Sequence, residues 1–125
     1  MLIAITAEDN NGLDSKVSSH FGYAAYFILI DTDNNQVHSV TGIVNPFCGS
    51  HGCGQVGRFL AEQGVQVMLS GGMGRRATQA LQGYGIEAIT GAAGNVRETL
   101  QRYLTGELRG AMPCPEEGAH GRCHD

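Results

Sequence analysis

Val65-Gln66-Val67-Met68-Leu69-Ser70-Gly71-Gly72-Met73-Gly74 is the stretch on which the fold turns. An apolar run of strand length passes through three glycines directly into a segment with Ala77, Ala80, Leu81 and Tyr84 at i, i+3, i+4 and i+7, the period of an amphipathic helix. Gly85 stops that helix, and Ile86 to Thr90 begins a second short apolar run. Two strands joined through a helix run parallel, and a parallel sheet needs cover on both faces, so this half of the chain predicts a layered α/β domain.

The remaining elements fit around that unit. Leu2 to Ala7 is apolar except at Thr6 and reads as a central strand. A polar loop follows from Glu8 to His20, then an aromatic and β-branched strand through Ala25 to Asp31. Asp33-Asn34-Asn35 suits a hairpin turn. Gln36 to Val44 returns as a strand with Val37 and Ile43 on one face and Val40 and Val44 on the other; its dilution by His38, Ser39, Thr41 and Gly42 marks an edge. Val56, Phe59, Leu60 and Gln63 before Gly64 give a short amphipathic helix. Asn95, with Glu98 three residues on, can cap a last helix whose apolar face is Val96, Leu100, Tyr103 and Leu104. The order is β-β-β-α-β-α-β-α: a three-layer α/β domain around a five-stranded mixed sheet, spanning residues 1–108, with 109–125 read as a flexible tail.

Composition narrows the partners. The 125 residues suffice for one domain with a real core, and 19 glycines against 3 prolines indicate tight turns rather than a disordered linker. A net charge of −4, with seven arginines and one lysine, provides no cationic field for nucleic acid. Nothing reads as a secretory signal, and no apolar run approaches the roughly 20 residues of a membrane span, so a cytoplasmic protein is expected. In that compartment clustered cysteines serve metal or redox chemistry more often than structural disulfides.

Such a cluster stands between the edge strand and the first helix: Asn45-Pro46-Phe47-Cys48-Gly49-Ser50-His51-Gly52-Cys53-Gly54-Gln55. Two thiols and an imidazole fall within six residues, among glycines that let the backbone turn them toward one point. Soft sulfur and imidazole donors suit zinc or an iron-sulfur unit. Cys48, His51 and Cys53 leave a tetrahedral site one ligand short. The tail offers Cys114 and Cys123, with His120 and His124 beside them. The same thiols also suit a dithiol–disulfide pair at Cys48 and Cys53 that serves a protein partner, a zinc-stabilised interaction module, or plain solvated loop residues.

Gly71-Gly72-Met73-Gly74-Arg75-Arg76 is the best anion site in the chain, because backbone N–H groups at a helix N-terminus stand beside two guanidiniums. It lacks the G-K-[ST] ending of a nucleotide-hydrolysing loop. Its plainer reading is a tight turn with exposed arginines. His20, at the same end of the sheet, could ligate or hydrogen-bond a bound cluster or merely cap a turn. His38, on the edge strand, reads as solvated. The central strands Leu2 to Ala7 and Val65 to Ser70 carry no carboxylate for a Mg²⁺-dependent nuclease, and no acid/base pair stands at usable spacing, so a non-enzymatic role is expected.

Ser19-His20-Phe21-Gly22, His51-Gly52-x-Gly54-Gln55, Ser70-Gly71-Gly72-Met73-Gly74 and Gly94-x-Val96-Arg97-Glu98, in this order, resemble the dinitrogenase iron-molybdenum cofactor biosynthesis family of NifX-like and orange-protein-like small proteins. The resemblance covers Met1 to about Leu108. It implies a ribonuclease H-like sheet and the binding, storage or transfer of a metal-sulfur cluster or its precursor, containing iron, molybdenum or copper, between donor and acceptor proteins. A cluster of that kind would suit the anion cradle read above, with Gly71, Gly72, Gly74 and Arg75 as its contacts and His20 beside them. Cys48, Cys53 and the Cys/His tail depart from the minimal family pattern, so the metal bound here can differ from that of other members.

Overall fold

A computed structural model describes residues 1–21, 24–46 and 53–108, with only the backbone at 53 and 54. The strands are β1 (Leu2–Ala7), β2 (Tyr26–Asp33), β3 (Gln36–Val44), β4 (Val67–Leu69) and β5 (Glu87–Ile89). The helices are α1 (Cys53–Glu62), α2 (Arg75–Gly83) and α3 (Val96–Leu104), in the order expected. The five strands form one mixed sheet, β3-β2-β1-β4-β5. β1 is central, antiparallel to β2 and parallel to β4, and β4 is parallel to β5.

The two sheet faces carry separate cores. Ile3, Ile5, Ile28, Ile30, Val67, Leu69 and Ile89 pack against Val96 and Leu100 of α3. Ala4, Phe27, Leu29, Met68 and Ala88 pack against Val56 and Leu60 of α1 and Ala77 and Leu81 of α2. Sheet and helices therefore make three layers. Successive residues of β1 serve opposite cores, which is why its sequence is apolar without alternation.

Turn chemistry sets the hairpin. Asn34 and Asn35 both have positive φ, the two-residue turn whose twist matches the flanking strands. β3 lies at the edge. Its Val40 packs against the α3-side core and its Ile43 against the other, whereas Val37 and Val44 are exposed, 41% and 64%. An outer strand has no neighbour to cover its ends, so face assignment by alternation does not guarantee burial there.

α1 starts three residues before the first apolar position that signals it, so Cys53 belongs to its first turn rather than to the preceding loop. After α1, Gln66 N donates to Leu2 O, which sets the helix end beside the start of β1. The ten residues of α1 rise about 15 Å, carrying Cys53 toward the opposite end of the sheet. α1 and α2 approach closely at Gly57, where a Cβ would lie 3.1 Å from Tyr84 Cδ2 and 3.3 Å from Ala80 O.

Asn95 caps α3 reciprocally: Glu98 N donates to Asn95 Oδ1 at 2.8 Å, and Asn95 N donates to Glu98 Oε1 at 3.3 Å. The polar loop after β1 is tied to the same helix end. Val96 N donates to Ser15 O, Val17 N to Gly94 O, and Arg97 pairs with Asp14 at 3.1 Å. Asn95→Ala is expected to destabilise the domain by about 1 kcal/mol in urea melts, with Asn95→Asp near wild type. Equal costs for both would remove the cap from the account.

α3 runs from that end to the other, where Tyr103 lies near Glu87. Burial, then the Glu87 charge, raises the phenol pKa above its ordinary value. A helix-ending turn at Gly106, with φ +88°, lets Glu107 N reach Arg102 O and sends the chain back.

Candidate functional site

β1, β3, β4 and β5 all point their C-terminal ends the same way, so the segments after Ala7, Val44, Leu69 and Ile89 leave from one rim. α1 and α2 begin there. Open α/β sheets bind ligands at this end, where connections diverge to either side of a central strand. Here the divergence is at β1, whose chain continues to β2 on one side while β4 lies on the other.

The glycine turn and the segment before Phe21 form one unit. Gly71 N donates to Ser18 O at 3.3 Å, and Phe21 N donates to Gly72 O at 3.1 Å. A Cβ on Gly71 would lie 2.8 Å from Ser19 Cα and 3.0 Å from Ser18 O; one on Gly72 would lie 3.1 Å from Ser19 O. Only glycine permits this approach of two backbones. The N–H of Gly71 is thus committed to the protein, and an anion at the turn would address the N–H groups that follow it.

Three buried hydroxyls fasten the unit from below. Thr6 Oγ1 lies 3.2 Å from both Ser18 O and Ser70 Oγ, and Ser70 Oγ donates to Gly72 O at 3.1 Å. Ser18 Oγ donates to His20 O at 3.1 Å and accepts from His20 N at 3.3 Å. Buried polar groups paired in this way hold one geometry, since each broken bond would leave an unsolvated partner. Thr6, Ser18 and Ser19 escape the sequence reading as site-forming residues. Thr6 signals itself only as the hydroxyl that interrupts the apolar run of β1, and Ser19 only as the first residue of the Ser19-His20-Phe21-Gly22 motif.

The candidates are placed as follows. His20 is exposed on the segment that Gly71 and Gly72 hold. Gly74 is buried as the N-cap of α2, where it has no side chain with which to cap the helix. Arg75 and Arg76, in its first turn, are exposed. Among the described arginines, Arg58, Arg97 and Arg102 have acidic partners, whereas no salt bridge involves Arg75 or Arg76. Asn45, where the cysteine segment departs, is buried, with Nδ2 donating to Ala24 O at 2.9 Å. Cys53 opens α1 at the same rim; Cys48, His51, Cys114, His120, Cys123 and His124 lie outside the described residues. His38 Nε2 stands 3.9 Å from Asp33 Oδ2 on the exposed edge, away from this end. Among the described residues, no three of His, Cys, Asp and Glu gather to hold a metal, and no helix is long and apolar enough to cross a membrane.

Solved structures share this fold over most of the chain. The apo form of the orange protein from Desulfovibrio gigas is 36% identical, with a TM-score of 0.77 over 88% of this chain and 92% of that one. The crystal structure of PH0822 is 33% identical, with a TM-score of 0.78 over 90% and 98%. TM1290 from Thermotoga is 28% identical, with a TM-score of 0.74 over 87% and 91%. No curated protein matches the chain. The family described as dinitrogenase iron-molybdenum cofactor matches residues 1–106. The chain belongs to the dinitrogenase iron-molybdenum cofactor family.

Proposed function

We propose that this protein is a non-enzymatic carrier that binds, stores or transfers a metal-sulfur cluster or its precursor, of iron, molybdenum or copper, between donor and acceptor proteins. Cys48, His51 and Cys53 supply the soft donors. Gly72, Gly74 and Arg75 face the anionic side of the cargo, Gly71 keeps that turn seated, and His20 flanks it. The observation that carries the reading is convergence: the start of α1 at Cys53, the start of α2 with two guanidiniums that no salt bridge among the described residues engages, and the His20 segment share one end of the sheet. Thiolates bind a cluster's metals, while N–H dipoles and guanidiniums favour its net negative charge, so this donor set fits such a cargo. The kinship with the orange protein supports it further, because an apo form is defined by a group it can take up.

Anaerobic reconstitution of the wild type beside Cys48→Ser/Cys53→Ser tests the proposal. The wild type is expected to take up stoichiometric metal with a sulfide-to-metal absorption band. The double variant is expected to lose roughly 100-fold or more in affinity while the apo-protein melts as before, because the two cores are built from the sheet and helices. A wild type that stays colourless and takes up no iron, molybdenum, copper or zinc would refute it.

A further inference from the structure

β3 ends the sheet on one side, and among the described residues no other strand lies beyond it. Its pairing with β2 sets Asp31 opposite Ser39 and Thr32 opposite Val37, so His38 is the extra residue of a bulge. From Ser39 to Val44 the ladder is regular. Asn45 N donates to Ala25 O at 3.0 Å, one step beyond the pair Tyr26–Val44. Peptide groups alternate in direction along an antiparallel strand. Ile43 and Thr41 therefore turn theirs to β2, while Val44, Gly42 and Val40 present theirs outward.

Proteins guard such an edge with charges, proline, bulges or a covering segment. Here the bulge guards only the start of β3, and Pro46 stands beyond its end. Gln36–Val44 holds no Asp, Glu, Lys or Arg, and it sits in the longest stretch of the chain without one, Asn34 to Gly57. Asn10 reaches β3 from the loop after β1, but its side chain occupies the direction a Cβ on Gly42 would take, over the sheet face and not along the edge.

This strand is complementary to itself. A two-fold axis at Gly42 sets Gly42 opposite its own copy, Val40 opposite the second copy's Val44, and Thr41 opposite the second copy's Ile43. Outward peptide groups then meet outward peptide groups, for about six backbone hydrogen bonds. Every side-chain pair in the register is β-branched on both sides, and Val44, 64% exposed, gains a cover. Two copies of a chain with net charge −4 repel each other, yet this edge opposes no charge to itself and offers none to select a charged foreign strand.

We propose that β3 pairs antiparallel with β3 of a second copy about this axis, joining two five-stranded sheets into one. The antiparallel arrangement turns the two rims to opposite ends of the joined sheet. Neither covers the other, so cargo uptake is independent of self-association.

Sedimentation of the full apo chain tests the proposal. A single strand pair is a small interface, so a Kd on the order of 10–100 μM is expected. Thr41 is exposed, and Thr41→Lys would place two ammonium groups on one face astride the axis. It is expected to weaken association by about 100-fold with the melting temperature of the dilute protein unchanged, whereas Thr41→Val should keep the wild-type Kd. Hydrogen exchange identifies the face. The Val40, Gly42 and Val44 amides should exchange fast at about 5 μM and gain protection at about 500 μM, while those of Thr41 and Ile43 are protected at both concentrations. A wild type that stays monomeric at about 1 mM would overturn the proposal and leave the edge to a strand of another protein. A dimer that persists in Thr41→Lys, or that leaves the three outward amides unprotected, would overturn it too, since the contact would then lie on another face.

Discussion

Gly71→Ala is expected to lower stability by about 2 kcal/mol, roughly 8 °C in melting temperature, and to abolish tight cluster uptake. The added methyl would meet Ser19 Cα at 2.8 Å and the carbonyl oxygens of Ser18 and Ser19 at 3.0 and 3.1 Å, all backbone atoms that no rotamer change can move aside. Relief requires the two strands of backbone to part, which stretches the Gly71 N to Ser18 O bond and strains the buried hydroxyls beneath it. The cost in binding should exceed the cost in stability, because the turn presents its N–H groups only while seated against Ser19. Gly83→Ala is the matched control. It lies at the end of α2, nothing stands within 4 Å of its added methyl, and it should be neutral or stabilise by about 0.5 kcal/mol. A Gly71→Ala protein that melts with the wild type and binds metal equally well would show that the contact between these segments is not a constraint.

This contact explains why the fold was more legible than the site. Each helix and strand announces itself within its own residues: Ala77 and Leu81 at helical spacing are both buried, Asn34-Asn35 takes the turn its composition favours, and Asn95 with Glu98 forms its box. β4 and β5 are only three residues each, shorter than their apolar runs. Val65 instead hydrogen-bonds to Leu60 O at the end of α1, and Gln66 to Leu2 O, so burial outlasts strand pairing. The approach of Ser18 and Ser19 to Gly71, more than fifty residues away in sequence, has no local signature. A serine in a polar loop looks alike whether it is solvated or, like Ser18, buried beneath a turn. The polar stretch after β1 likewise reads as a plain loop, yet it carries a 3-10 turn at Gly12–Asp14 and pairs Ala7 with Val17 and Lys16 with Asn95. The glycine turn could be found from sequence because its backbone need is written in its own residues; its partner segment could be found only in three dimensions.

Phe21→Ala tests whether that partner segment is held by the core or only by its hydrogen bonds. Phe21 is buried at 3% exposure, and its ring lies 6.2 Å from that of Phe27, tilted by 38°. Phe27 in turn is fully buried in the core beneath α1 and α2. The side chain thus anchors on one sheet face a backbone whose N–H donates to Gly72 O, and His20 precedes it by one residue. Truncation to alanine should cost about 3 to 5 kcal/mol, a large part of the total stability of a domain this size. Phe21→Leu, which keeps most of the volume, should cost less than about 1.5 kcal/mol. Hydrogen exchange separates the two contributions. In the leucine variant the Phe21 and Gly71 amides should keep their protection, while in the alanine variant both should exchange together, ahead of amides in the middle of β1. Full protection of these amides in a folded alanine variant would mean that the hydrogen bonds alone seat the His20 segment, and the aromatic pair would then belong to stability and not to the rim.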